Sequence, residues 1–387
     1  MKRIKLLLFL LLAGFYCFSQ QQYKVKIVSS DDGTPIIGAK IITDVGVYYS
    51  NDEGFLLAES NLAKVQAIAP TYTGKEVSLF TDKDVNTIQL SPYYIDIPEV
   101  SINNVNVQNI FQNTLKNYLE IYYSKPSLYQ GVIKQKAYIS GKISNFLVAD
   151  INVWSKYNLF NFSEAKNVDA FFQMNLNNIR YYKTTKTNSE YPFNNDVQIV
   201  PSSFVQKLFM NTEIFAILND FKNINISSKL IYNTAGIQKI EFKAEDNPKM
   251  DFSGYMIYNK NDNAIIYLEV QGKELKNNFQ TRKNKLGEEY LVSNDTFKIS
   301  YDFTKKDYKY TPTNMKITLS GTGIYKGNKI PVNMSQEIIF QKFKPTNDKG
   351  LKNKVDLSKM LTENIPTKEQ RESKILLTAE EQKFINE

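Results

Sequence analysis

The chain contains no histidine and only one cysteine, Cys17, among its 387 residues. The lack of histidine excludes Ser-His-Asp and Cys-His catalysis, histidine-ligated metal sites and a pH switch based on imidazole. Cys17 lies in a stretch that has the pattern of an export signal. If that signal is removed, the mature chain has no thiol, which excludes disulfides, thiolate zinc sites and cysteine nucleophiles.

The first residues predict export. Residues 2–5 carry three basic side chains, and the apolar run that follows over residues 6–13 is too short to span a bilayer. Small residues at Cys17 and Ser19 suit a signal peptidase, so we expect cleavage before Gln20. Residues 1–19 are therefore predicted to be a signal peptide.

Residues 20–91 have the pattern of a small β-sandwich. Turn-forming residues at 31–39 and 48–55 separate short runs of Val, Ile, Tyr and Phe. About seven such runs follow one another at close spacing, which is typical of a sandwich rather than of β-α-β units. Gly54 follows three turn residues, and we expect it to adopt a positive φ.

Two motifs in this segment resemble the carboxypeptidase regulatory-like domain, a transthyretin-type sandwich common in Gram-negative envelope proteins. They are Gly33-Thr34-Pro35-Ile36-Ile37-Gly38-Ala39 and Asn51-Asp52-Glu53-Gly54-Phe55. The resemblance covers roughly residues 22–92, and it departs from the family at residues 69–72, where a Gly-Tyr pair is common. It implies a companion domain that is not itself a peptidase, located in the periplasm or at the outer membrane. Its grouping with starch-binding-like sandwiches implies carbohydrate binding as a further candidate.

The rest of the chain is predicted to form a second, larger part. Two prolines, Pro92 and Pro98, indicate a linker over residues 92–106. An antiparallel β domain is predicted over residues 107–346, with helices near 107–123 and 201–220, and a charged helical tail over 347–387. The first helix is indicated by an apolar stripe at helical spacing.

Alternating apolar residues dominate the predicted β domain. Two candidate inward faces are Leu147 with Ile151 and Val153, and Ile257 with Ile265 and Tyr267. Long successive hairpins resemble the half-barrel of LolA-like lipoprotein carriers, which implies a cavity for an apolar ligand. The fold expected for the whole chain is mainly β: a small N-terminal sandwich, then a larger antiparallel sheet or half-barrel with a few covering helices.

Several residue patterns are candidate sites of chemistry. They are a partial phosphate loop at Gly321-Thr322-Gly323, oxygen-rich loops at 51–53 and 259–263, the acid pairs Asp295/Asp302 and Asp246/Asp251, and Ser163 with Lys166. A complete phosphate loop, a calcium loop and a Ser-Lys dyad each need further residues that are missing here. Turns and chance spacing explain these patterns better. We therefore assign no catalytic, cofactor-binding or metal-binding residue and expect no cofactor.

The charge pattern bears on partners. Lys and Arg number 48 against 40 Asp and Glu, and the two signs are interspersed. Nucleic-acid binding would need a basic stripe, so none is predicted. Peripheral association with a membrane remains compatible with this surface.

The hypothesis that these patterns favour is a non-catalytic, exported protein that acts as a binding or interaction module at or near the outer membrane. A first alternative is a carrier that holds a lipid or other apolar ligand in a half-barrel. A second is a carbohydrate-binding protein or a glycan hydrolase that uses carboxylates. An open apolar cavity would favour the carrier, a close carboxylate pair the hydrolase, and a filled core the interaction module.

Overall fold

The computed structural model describes residues 21–93, 105–185, 201–245, 247–276, 279–283, 287–359, 361–365 and 376–387. The predicted signal peptide, most of the predicted linker and Asp246 lie outside the described residues. These residues fall into two compact units. The first consists of residues 21–93 with 376–378, and the second contains the others.

The first unit is a sandwich of two small sheets. Its strands are β1 (Gln21–Ser29), β2 (Lys40–Ile42), β3 (Val47–Tyr49), β4 (Phe55–Ser60), β5 (Lys64–Ala69), β6 (Tyr72–Ser78) and β7 (Asn86–Leu90). One sheet has the order β4-β1-β7, with β1 and β7 parallel, and the other has the order β3-β2-β5-β6. Val25, Ile27 and Ile41 are fully buried between them.

The turn at Gly54 has the predicted geometry. The Asn51 side-chain oxygen accepts hydrogen bonds from the backbone N–H groups of Glu53 at 3.0 Å and Phe55 at 2.9 Å. Gly54 has a φ of 78°, which confirms the expected positive value. A Cβ at this position would lie 2.7 Å from the carbonyl oxygen of Ile27, so glycine is required for space as well as for conformation.

The second unit is built on an open, eleven-stranded sheet. Its strands are β8 (Ser127–Ile139), β9 (Lys142–Ser155), β10 (Phe172–Thr184), β11 (Ile226–Thr234), β12 (Ile237–Ala244), β13 (Met250–Asn259), β14 (Ala264–Glu274), β15 (Gln280–Lys283), β16 (Glu289–Lys306), β17 (Lys309–Tyr325) and β18 (Asn328–Pro345). The order is β10-β9-β8-β18-β17-β16-β14-β13-β12-β11, with β15 also paired to β16. All of these pairs are antiparallel.

A few helices accompany the sheet. They are α1 (Val107–Lys116), α2 (Tyr118–Ile121), α3 (Pro201–Lys207), α4 (Met210–Asp220) and α5 (Ala379–Asn386), with 3₁₀ segments at Phe162–Ala170 and Leu361–Asn364. The side chain of Asn106 caps α1 by accepting from the backbone N–H of Asn109. Val107, Ile110 and Phe111 form its buried stripe. The expected mainly β fold, with a small sandwich, a larger antiparallel sheet and a few helices, is confirmed.

Helices pack on one face of the large sheet. That face carries Ile133, Leu147, Met256, Ile299 and Ile317, which share a core with α1, α3 and α4, and we call it the covered face. The opposite face is the outer face.

The Gly54 turn gives a test of the sandwich geometry. Gly33 also has a positive φ, of 72°, but a Cβ there meets nothing within 4 Å. Gly33→Ala should therefore cost only the backbone strain, about 1–2 kcal/mol. Gly54→Ala should lower the free energy of unfolding by roughly 1–3 kcal/mol more, because it adds a clash. Calorimetric unfolding of the mature chain measures both, and equal losses would show that the close approach is relieved at no cost.

Candidate functional site

The covered face of the large sheet is filled by aromatic side chains. Phe209 contacts the rings of Phe160, Phe171 and Phe172 at centroid distances of 5.8–6.1 Å. A cavity of about 20 Å³ lies beside Phe209, lined by Tyr118, Tyr129, Phe172, Leu208 and Phe303 among others. Such a space holds about one water molecule. Binding sites for small molecules are usually about 300–1,000 Å³, so this cavity cannot hold an acyl chain.

The candidate inward face at β9 belongs to this filled core. Leu147, Ile151 and Val153 are 0%, 1% and 2% exposed and pack in the same cluster as the helices. They line a packed interior rather than an open half-barrel.

The second candidate face does not exist as one surface. A bulge occurs between the pairs Ile257/Tyr267 and Tyr258/Ile265, so one extra residue lies on β14. Because side chains alternate along a strand, the extra residue puts Ile265 on the covered face and Tyr267 on the outer face. The prediction that Ile257, Ile265 and Tyr267 share a face is wrong for this reason.

Tyr122 fixes the chain after α2 to the sheet. It is 1% exposed, its hydroxyl donates to the carbonyl oxygen of Ile265 at 2.8 Å, and it accepts from the N–H of Ile265 at 3.0 Å. Ile265 lies beyond the segment of β14 that pairs with β16, which begins at Tyr267. The hydroxyl thus takes the place of a neighbouring strand. Burial raises the pKa of the Tyr122 hydroxyl well above its ordinary value, which keeps it protonated.

The acid pair Asp295/Asp302 does not have the geometry of a glycosidase. Both residues lie on β16, seven positions apart, which corresponds to roughly 23 Å of strand. The two carboxylates of a glycosidase lie about 5–9.5 Å apart. Asp295 instead accepts hydrogen bonds from the hydroxyls of Ser293 and Thr322. The other pair includes Asp246, which lies outside the described residues.

The stretch Gly321-Thr322-Gly323 lies inside β17, so the expectation of a turn there is wrong. β17 pairs with strands on both sides at this point. A Cβ on Gly321 would overlap the carbonyl oxygen of Ser293. The glycine permits this close approach beside the bulge at Asp295, and it does not form a phosphate loop.

The oxygen-rich loop at 259–263 is held by hydrogen bonds within the loop and from Lys305 and Tyr310. The Asn259 side-chain oxygen accepts from the N–H groups of Asn261 and Asp262. The Asp262 carboxylate accepts from the Lys305 ammonium at 2.7 Å and the Tyr310 hydroxyl at 2.6 Å. The hydrogen bonds from Lys305 and Tyr310 lower the pKa of the Asp262 carboxyl. Lys305 supplies the positive charge that a metal ion would otherwise supply.

The Ser163/Lys166 pair has no catalytic arrangement. The Ser163 hydroxyl donates to the side-chain oxygen of Asn161 at 2.6 Å, at the start of a 3₁₀ segment. Both Ser163 and Lys166 are exposed. A Ser-Lys mechanism needs a lysine whose pKa is lowered by burial, so this spacing arises from local structure.

The outer face carries an ordered group of aromatic and charged side chains. The rings of Tyr255 and Tyr267 stack with centroids 5.4 Å apart, and the Lys239 ammonium lies 4.9 Å from the Tyr255 ring centroid. The Tyr267 hydroxyl donates to Glu269, whose carboxylate also pairs with Lys298 at 2.7 Å. Burial raises the pKa of both tyrosine hydroxyls, so they stay neutral.

A hollow of about 500 Å³ lies next to Tyr255. Its lining includes Ser253, Tyr255, Glu241, Lys243, Glu269 and Gln271. Two rings, Phe242 and Tyr255, one side-chain amide, hydroxyls and charges of both signs are arranged around it. We call this the outer-face hollow.

Helix α5 covers another part of the outer face, over β8–β10. Glu381 is fully buried and pairs with Lys134 at 2.5 Å and Lys136 at 3.0 Å. The Lys183 ammonium lies 5.4 Å from the Phe384 ring centroid. The sequence indicated only a charged helical tail, and the spacing of Glu381 and Phe384 on one helical face was the signal for this packing.

Within the residues that the structure describes, no helix combines the length and apolar character needed to cross a membrane. Over the same residues, His, Cys, Asp and Glu side chains form no group of three or more that could hold a metal ion.

Comparisons with known proteins assign no family to this chain. No family model matches the chain, and no curated protein matches it. A solved structure from Bacteroides fragilis NCTC 9343, described as a membrane-associated protein of unknown function, aligns over 84% of this chain and 99% of its own, with 7% identity and a TM-score of 0.15. MucB in complex with MucA(peri) aligns over 62% of this chain and 100% of its own, with 7% identity and a TM-score of 0.18. Such low scores do not establish a shared fold, so nothing is transferred from either.

The Tyr122 hydroxyl provides a test of how the covered face is held. Tyr122→Phe keeps the ring but leaves both backbone groups of Ile265 without their partner, and should lower the free energy of unfolding by about 2–4 kcal/mol. Tyr308→Phe, at a position that is 91% exposed, is the control and should change it by less than about 0.5 kcal/mol. Urea unfolding followed by Trp154 fluorescence measures both. A Tyr122→Phe protein as stable as the control would contradict the anchoring role.

Proposed function

We propose that this chain is an exported envelope protein that works by binding through its surface, without catalysis. The observation that carries the proposal is the filled covered face, where the cavity holds only about 20 Å³. A carrier needs an interior that opens to its ligand, and here the helices and aromatic rings occupy that space. In the part of the chain that the structure describes, the larger concave spaces lie on the surface.

The proposed location rests on the sequence. Residues 1–19 have the pattern of a cleaved export signal, and the sandwich motifs resemble a domain common in Gram-negative envelope proteins. The described sandwich has a core of its own and a turn in which Gly54 has a positive φ. This architecture is compatible with a carboxypeptidase regulatory-like domain. As such a domain, the sandwich would serve as a docking module.

The outer-face hollow is the proposed partner site in the larger unit. Glu241, Lys243 and Lys298 have side chains that are 48%, 62% and 51% exposed around the half-buried Tyr255 and Tyr267. An aromatic centre with a charged rim is the usual composition of a protein–protein contact. The proposed partner is therefore another envelope protein.

A second candidate function is glycan binding at the same hollow. Tyr255 offers a ring for stacking, and Ser253, Gln271 and Glu269 offer hydrogen-bonding groups for sugar hydroxyls. This candidate requires no carboxylate pair and no turnover.

Site-specific photo-cross-linking tests the proposal. A photoreactive phenylalanine derivative at Gln271, which is exposed in the outer-face hollow, should give one discrete cross-linked product with an envelope protein in intact cells. The same group at Lys222, exposed after α4, is the control and should give none.

Three outcomes separate the hypotheses. A discrete protein adduct only from Gln271 supports the interaction module. A glycan adduct only from Gln271 supports the second candidate. Equal or absent products from both positions would contradict binding at the hollow.

A further inference from the structure

A second concave surface lies in the larger unit, with the side chain of Trp154 in its lining. It is a groove of about 840 Å³ lined by residues 123–126, the end of β9 with Lys156, Ala170, and residues 344–349, where β18 ends. We call it the tryptophan groove. Its volume is in the range of small-molecule sites.

The walls of the groove are held in place by hydrogen bonds. The N–H of Thr346 donates to the carbonyl oxygen of Pro126 at 3.0 Å. The indole N–H of Trp154 donates to the carbonyl oxygen of Asp348 at 2.8 Å, and the N–H of Leu351 donates to the Gln173 side chain at 2.7 Å. The segment from the end of β18 to Leu351, which carries Lys344 and Lys349, is thus held in place before any ligand arrives, which lowers the entropic cost of binding.

The groove is strongly basic. Four lysines line it, Lys125, Lys156, Lys344 and Lys349, against one acid, Asp348. The Asp348 carboxylate accepts a hydrogen bond from the Thr346 hydroxyl, and Lys156 pairs with Glu164 at 3.4 Å. Lys125, Lys344 and Lys349 form no ion pair with any residue that the structure describes.

Three unpaired ammonium groups lie in one concave surface here, whereas the exposed lysines Lys298, Lys305 and Lys354 each lie beside a carboxylate. A concave surface with three uncompensated ammonium groups concentrates positive potential and attracts anions. Lysine ammonium groups commonly bind phosphate, to which each offers a point positive charge.

We infer that the tryptophan groove is a binding site for a phosphate-bearing ligand, held by Lys125, Lys344 and Lys349. This site is separate from the outer-face hollow and does not depend on the proposed protein partner. Phosphate groups of this kind occur in soluble phosphorylated compounds and in lipid headgroups.

Trp154 is the only tryptophan in the chain, so its fluorescence reports on the groove directly. Titration of the mature protein with pyrophosphate should change Trp154 emission in a saturable manner, and the apparent affinity should fall as salt is raised. The triple variant Lys125→Gln, Lys344→Gln, Lys349→Gln should bind at least tenfold more weakly. An unchanged midpoint of thermal unfolding shows that the variant is folded.

A matched triple variant controls for overall charge. Lys116, Lys222 and Lys260 are exposed lysines outside the groove, and changing all three to Gln removes the same charge. This control should bind pyrophosphate as the parent does. Equal weakening in both triple variants would overturn the inference, because it would show that net charge rather than the groove attracts the anion.

Vesicles separate the two ligand sources. Flotation with vesicles of phosphatidylglycerol and phosphatidylcholine, compared with phosphatidylcholine alone, tests a lipid headgroup. Binding that needs phosphatidylglycerol and is lost only in the groove variant supports the lipid source. Saturable pyrophosphate binding without flotation supports a soluble ligand, and the absence of both overturns the site.

Discussion

The buried hydroxyl of Tyr122 is the contact on which the larger unit depends. It bonds to both backbone groups of Ile265 where β14 no longer has β16 beside it, and its ring packs against Tyr118 at 4.5 Å and Phe303 at 5.0 Å. Helices α1 and α2 are thereby fixed to the sheet. With this layer in place, the aromatic residues around Phe209 pack against the covered face, and the cavity beside Phe209 measures only about 20 Å³.

The larger concave spaces of the described residues lie on the surface of the second unit. On the outer face, α5 lies over β8–β10 with Glu381 buried between Lys134 and Lys136, while the hollow beside Tyr255 lies over β11–β14. The tryptophan groove lies at the ends of β8, β9 and β18. The proposed functions therefore use two different surfaces built on one sheet, one with mixed charge and one that is basic.

Local sequence patterns predicted much of this fold. The residues 51–54 specified their turn because Asn51 and Gly54 act within a few positions, and the apolar stripe of Val107, Ile110 and Phe111 specified a helical face. The bulge at Ile266 could not be predicted, since it depends on how β13 and β14 align across the sheet. For the same reason the prediction that Ile257, Ile265 and Tyr267 share one face of the sheet was wrong. The two proposed binding surfaces were missed because their residues come together only through strand order: Lys125, Trp154 and Lys349 are far apart in the chain.

The central claim is that the covered face is closed and that the protein carries no ligand inside it. Native mass spectrometry of the protein recovered from the envelope without detergent tests this most directly. The account predicts the mass of the polypeptide alone, with no lipid retained in the Lys125→Gln, Lys344→Gln, Lys349→Gln variant that lacks the groove charges. A lipid or other apolar molecule that stays bound to this variant in a fixed ratio would contradict it.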